Sequence, residues 1–171
     1  YAGIEPFADH LDPKWHWTCG KGVYAPAVAE TVLALALSLS KNLHAYARTN
    51  EWSGPVGRYL QGSNVTILGG GGITVELLPL LAPFNCITTV IRKKDKDLPG
   101  ATFTYTPEQL GEVLETTDLL ILALALTEET KGIIDKEALD RMPSHSYIVN
   151  VARGGHVVTD DLIEALKEGK I

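Results

Sequence analysis

The sequence has few cysteines, no excess of basic charge and no long unbroken apolar run. Cys19 and Cys86 are the two cysteines in 171 residues. They form no metal-ligand pattern and read as buried thiols in a reducing compartment. Lys and Arg number 15 against 21 Asp and Glu, a formal net charge of −6, which argues against a general nucleic-acid binder with a basic surface. An anionic ligand would need a local positive patch. The most apolar segment, residues 25–39, is interrupted by Glu30 and is too short to span a bilayer comfortably. No signal-peptide pattern is visible, so a cytoplasmic setting without membrane contact is expected. What is present is a globular composition, 45% hydrophobic and 21% charged, enough for a real core. The length suits one domain with a fragment of a second. The chain opens on Tyr1 and closes on "EALKEGKI", which reads as a helix ending at Gly169 just before a strand is due. Both ends are therefore expected to be cut from a longer protein.

Residues 1–25 contain Pro6, Pro13, Gly20 and Gly22 as breakers and read as irregular. A long helix is expected over residues 26–47, apolar nearly all round in its first half and so buried there. A turn-rich connector, "SGPVGRYLQGSN", follows. From there β-rich runs alternate with helical ones. "NVTIL", "CITTVI", "DLLILALAL" and "SYIVNVA" read as strands. "GITVELLPLLAPF" reads as a helix made irregular at Pro79, and "TPEQLGEVLETT" as a helix with Thr106 at the N-cap and Pro107 at the first position. "DKEALDRM" and "TDDLIEALKEG" complete the series. Strands that are apolar on both faces and alternate with helices indicate a parallel sheet covered on both sides.

Three stretches carry chemistry. In "ILGGGGITVEL" four glycines lie between the first strand of the series and a helix, where a dinucleotide pyrophosphate rests on a helix N-terminus. Gly69 would permit the tight turn and Gly71 would let the backbone approach phosphates. Gly72 and Ile73 would offer backbone N–H groups. The third glycine of a G-x-G-x-x-G fingerprint would fall at position 74, where Thr74 stands, so a displaced or tilted helix is expected. The second stretch is "RKKDKD" after "CITTVI". An NAD site usually places an acid there to bond the ribose hydroxyls. Arg92, Lys93 and Lys94 stand instead and would attract a 2′-phosphate, which favours NADP over NAD. The bland reading is a solvated loop, since Asp95 and Asp97 nearly balance the charge. The third is "SYIVNVARGGHVVTDDLIEAL". Arg153, between an apolar strand and paired glycines, would point into the crevice beyond the strand ends, where a guanidinium can grip a carboxylate and polarise a neighbouring carbonyl.

"IVNVARGGHVVTDDLIEAL", with "VTILGGGGI", "DLLILALALTEETKGIIDKEALDRM", "VAETVLALAL" and "YAGIEPF", resembles the D-isomer-specific 2-hydroxyacid dehydrogenases over nearly the whole chain. The resemblance implies a Rossmann-like doubly wound parallel sheet. It divides the chain into a substrate-domain remnant (1–25), an interdomain helix (26–48) and a dinucleotide-binding domain (49–171) truncated at its C-terminus. It implies hydride transfer between a nicotinamide and a 2-oxo or 2-hydroxy acid, with Arg153 catalytic and substrate-binding. Ala2 and Gly3 would hold the substrate carboxylate through backbone amides. Leu124, Ala125, Thr130, Val151 and Ala152 would join the glycine loop, Arg92 and Lys93 around the cofactor. The family's catalytic Glu and His would lie beyond Ile171, so this chain alone is expected to bind cofactor weakly and not to turn over. The family usually dimerises through this domain and its long helix, which implies a homodimer. His156, close to Arg153, occupies a variable position of the signature. Ala123 and Ala125 depart from the middle signature, which usually has His and Pro there, and imply an altered adenosine wall. Two alternatives stand beside this: a non-catalytic dinucleotide-sensing relative acting through protein partners, and a degenerate module that binds no cofactor.

Overall fold

A strand buried on both faces divides its side chains between two cores, because successive residues point to opposite faces of the sheet. A computed structural model describes residues 9–18, 20, 22–94 and 96–171. Ala2, Gly3, Cys19 and Asp95 lie outside the described residues. Helix α1 (Ala25–Ser40) and a short helix α2 (Leu43–Tyr46) precede β1 (Asn64–Leu68), α3 (Gly72–Leu81) and β2 (Ile87–Ile91). Then come β3 (Phe103–Tyr105), α4 (Leu110–Leu114), β4 (Leu119–Leu122), α5 (Lys136–Arg141), β5 (Tyr147–Asn150) and α6 (Thr159–Lys167). The five strands form one sheet in the order β3-β2-β1-β4-β5. Every neighbouring pair is parallel. With helices on both faces this is the Rossmann-like arrangement.

The alternation is plain in the strands. Val65 and Ile67 of β1, with Leu119 and Ile121 of β4, join Ala29, Val32 and Ala36 of α1 and Leu77, Leu78 and Leu81 of α3. Leu68 of β1, with Leu120 and Leu122 of β4, joins Leu110 and Leu114 of α4, Leu139 of α5 and Ala165 of α6. All four residues of β4 are buried, which only a strand covered on both faces can achieve.

Several boundaries differ from expectation. The first helix ends at Ser40, because Asn42 takes a left-handed φ of +54° and starts a separate turn. It buries one stripe, Ala25, Ala29, Val32 and Ala36, and leaves Leu35 exposed. Pro79 lies inside α3 and does not end it. Val75, whose carbonyl loses its partner, is exposed, as is Pro79, and water can take the vacated place. The irregularity comes later, as a 3-10 turn over Ala82–Phe84. The strand expected over residues 118–126 pairs only as Leu119–Leu122, because β1 beside it stops at Leu68 and Ala123 N–H makes the last bond, to the Leu68 carbonyl (2.9 Å). β3 was not expected. Three half-exposed residues at the sheet edge carry no readable period. At the far end, the amides of Gly169 and Lys170 donate to the carbonyls of Leu166 (3.3 Å) and Ala165 (2.9 Å). Gly169, at φ +65°, supplies the left-handed residue that this helix ending requires.

Candidate functional site

From β1 the chain crosses to β2 on one side of the sheet, and from β4 it crosses to β5 on the other. Between the C-terminal ends of β1 and β4 the connections diverge, which opens the crevice where such sheets take ligands. The glycine turn forms one wall. Gly69 has φ +107° and its N–H donates to the Ile91 carbonyl (2.8 Å). A Cβ at Gly69 would stand 2.5 Å from the Ala123 carbonyl oxygen and 3.0 Å from the Leu124 Cα, so only glycine lets the two loops approach this closely. Gly71 opens α3 with extended backbone, and a Cβ there would meet no atom of the described residues within 4 Å. No side chain caps α3. Its first amides, at Gly72 and Ile73, therefore point out of the helix toward that open space.

Thr74 packs inside the turn that precedes it. It is fully buried, and its hydroxyl donates to the Gly69 carbonyl at 2.5 Å. The side chain that replaces the expected glycine thus closes the turn it follows. Arg92 runs along the same turn: a Cβ at Gly70 would lie 3.0 Å from both Cδ and Nε of Arg92. Lys93 forms an ion pair with Glu129, in the loop after β4, with both side chains largely exposed.

The loop after β4 forms the opposite wall. Leu124 is half-buried and Ala125 exposed. The Thr130 hydroxyl donates to the Ala125 carbonyl (2.8 Å) and accepts from the Thr127 amide (2.8 Å). These two bonds curl residues 125–130 into a fixed turn.

After β5 the chain turns again. Asn150 holds this turn twice: its Nδ2 donates to the Arg153 carbonyl (2.9 Å) and its Oδ1 accepts from the Ala152 amide (2.9 Å). Val151, Ala152 and Arg153 are half-buried. Arg153 donates from Nη1 to the Ala152 carbonyl (3.0 Å). His156 is fully buried, with Nδ1 3.0 Å from the Thr130 carbonyl. An acid–base role at an open cleft does not suit that position. Sequence reasoning missed the work of Asn150, Thr74 and Glu129. Asn150 carried a usable signal, since a short amide side chain ending an apolar strand is a turn former that bonds its own backbone. Among the described residues no group of His, Cys, Asp and Glu could hold a metal ion, and no helix is long and apolar enough to cross a membrane.

The family model for the NAD binding domain of D-isomer specific 2-hydroxyacid dehydrogenases matches residues 32–171. A glyoxylate reductase of Thermofilum pendens is 32% identical over 88% of this chain and 47% of its own length. A D-isomer specific 2-hydroxyacid dehydrogenase of Xanthobacter autotrophicus, solved with NADPH and MES, superposes with a TM-score of 0.85 over 99% of this chain and 72% of that one, at 24% identity. An NAD-dependent formate dehydrogenase of Staphylococcus aureus, solved with NAD, gives a TM-score of 0.79 at 31% identity, over 87% and 47%. The chain spans between 34% and 59% of the length of the first curated relatives it matches.

Proposed function

Because the chain belongs to the D-isomer specific 2-hydroxyacid dehydrogenases, we propose that it forms the dinucleotide-binding part of an oxidoreductase acting on 2-oxo and 2-hydroxy acids. The observation that carries this is the glycine turn: open space over Gly71 beside uncapped helix amides, at the crevice between β1 and β4. That space fits a pyrophosphate, since no side chain among the described residues fills it and the helix end favours negative charge. Gly69, Gly71, Gly72 and Ile73 would hold the phosphates. Leu124, Ala125 and Thr130 would wall the adenosine side. Val151 and Ala152 would border the nicotinamide, which supplies the hydride when bound. Arg153 would grip the substrate carboxylate and polarise the 2-oxo group, with Ala2 and Gly3 binding the same carboxylate. Proton transfer would fall to the family's His, tuned by a Glu, neither of which the resemblance assigns to a residue of this sequence. Residues 1–25 would then be a remnant of the substrate domain and residues 26–48 the connection between domains. The apolar Leu35 on the open side of α1 is compatible with a homodimer.

NADP is the favoured cofactor because Arg92 lies along the glycine turn and Lys93 follows it. A 2′-phosphate there would accept charge-assisted hydrogen bonds. The substrate class follows the named relatives, small 2-oxo acids such as glyoxylate. The test is a calorimetric titration of the chain with NADPH and NADH at low salt. NADPH should bind more tightly, and Arg92→Asp should weaken NADPH by about 10- to 100-fold, the equivalent of one or two charge-assisted bonds, while leaving NADH nearly unchanged. Equal losses for both would remove the 2′-phosphate argument. Binding of neither would remove the dinucleotide reading.

A further inference from the structure

The buried ring of His156 fills no role in the chemistry above. Thr130 carbonyl oxygen can only accept, so Nδ1 of His156 carries the hydrogen of their 3.0 Å bond. The other ring nitrogen, Nε2, is buried with no hydrogen-bond partner among the described residues. An unsatisfied buried nitrogen is unfavourable, and a leucine would fill the same volume without it. Space filling alone therefore does not account for histidine here. What the ring adds is the bond to Thr130.

Thr130 is the residue that curls the loop after β4, through its bonds to Ala125 and Thr127. His156 is three residues beyond Arg153, and its own amide donates to the Arg153 carbonyl (3.2 Å). Backbone bonds flank the ring. Gly132 N–H reaches the Gly155 carbonyl (2.8 Å), Ile134 N–H reaches the His156 carbonyl (3.0 Å), and Val158 N–H reaches the Ile134 carbonyl (2.9 Å). Leu126 packs on Gly155 from the same loop, its Cδ2 3.2 Å from where a Cβ would stand. The ring of His156 thus joins two turns that approach the crevice from neighbouring strands.

We propose that His156 is a positioning residue that couples the turn walling the adenosine side to the turn presenting Arg153, so that ordering the first by dinucleotide orders the second. The inference rests on the dinucleotide reading.

Amide hydrogen exchange on the chain, with and without saturating NADPH, tests it. In the unmodified chain NADPH should slow exchange at Gly72 and Ile73. It should also slow exchange at Ala152, His156 and Val157, by at least about fivefold, the lower end of ordinary site-to-site coupling. In His156→Leu the slowing at Gly72 and Ile73 should remain, and the slowing at Ala152, Val157 and the substituted position should vanish. His156→Asn places an amide nitrogen where Nδ1 stood and should restore it. A purely structural role would lower the urea midpoint of His156→Leu and leave the spread of slowing intact, which would overturn the coupling alone. No slowing at Gly72 and Ile73 in the unmodified chain would overturn the dinucleotide reading and this inference with it.

Discussion

Gly69 and Gly71 belong to one turn, yet they should fail in opposite ways when each receives a methyl group. At Gly69 the new Cβ would stand 2.5 Å from the Ala123 carbonyl oxygen and 2.8 Å from its carbon. Both are backbone atoms, so no side chain can swing away. The φ of +107° adds strain for any L residue, at least about 1–2 kcal/mol. Overpacking a rigid site costs about 1–3 kcal/mol more. Gly69→Ala should therefore lose about 2–5 kcal/mol, a large part of the stability of a small domain, and loosen the bond from Ala123 N–H to the Leu68 carbonyl (2.9 Å). At Gly71 the backbone is extended, at φ −91° and ψ −167°, and a Cβ would meet no atom of the described residues within 4 Å. Gly71→Ala should fold with stability within about 0.5 kcal/mol of the unmodified chain, yet bind dinucleotide poorly, because the methyl group would occupy the space assigned to phosphate. Urea unfolding followed by tyrosine and tryptophan fluorescence reads the first effect, and titration with NADPH reads the second. A stable Gly69→Ala chain would refute the close approach of the β1 and β4 loops. A Gly71→Ala chain that binds NADPH undiminished would refute the phosphate cradle.

Thr74→Val keeps the shape of a fully buried side chain and removes the hydroxyl that bonds the Gly69 carbonyl. It should lower stability by about 1–3 kcal/mol, read as a lower urea midpoint at unchanged slope, and an unchanged midpoint would show that the turn closes without it. Burial pushes the Cys86 thiol up from its ordinary value, outweighing a backbone hydrogen bond from Ser63. Little thiolate should therefore exist near neutral pH. Iodoacetamide at a pH of about 7.5, below the ordinary thiol range, should modify Cys86 far more slowly in the folded chain than in urea, with the rate rising toward alkaline pH; equal rates by peptide mass spectrometry would contradict that burial.

Much of this was legible because the runs that matter are strongly patterned. Leu119–Leu122 is apolar throughout, and Val65, Ile67 and Leu68 make β1 nearly so, and a parallel sheet hides both faces by placing helices on each side. The glycine turn was legible because "GGGG" between a strand and a helix has few other uses. β3 was not, because Phe103, Thr104 and Tyr105 are edge residues whose place is decided by pairing with Thr89, Val90 and Ile91 and not by their own pattern. The end of α1 was not, because nothing in "SKNLHAY" announces that Asn42 adopts a left-handed backbone. The bond made by Thr74 was not legible for a different reason: its bulk could be read, but the acceptor it finds five residues back exists only once the turn has closed.

The position of β1 in the sheet has a consequence for how the chain comes into being. Asn64 and Asp118 clasp each other across 54 residues, by Asn64 N–H to the Asp118 carboxylate (2.8 Å) and Asp118 N–H to the Asn64 carbonyl (2.9 Å). During synthesis β1 can pair with β2 as soon as Ile91 is clear, but its other edge waits for β4. Until then "VTIL" offers an open row of peptide groups with no charge or proline to guard it. Distant pairings of this kind form slowly and are the stage at which chains stick to one another. The crevice does not exist in that interval, since the wall against Gly69 is built from Ala123 and Leu124. Small molecules that favour the native state by binding the crevice therefore act only after the hazardous stage has passed.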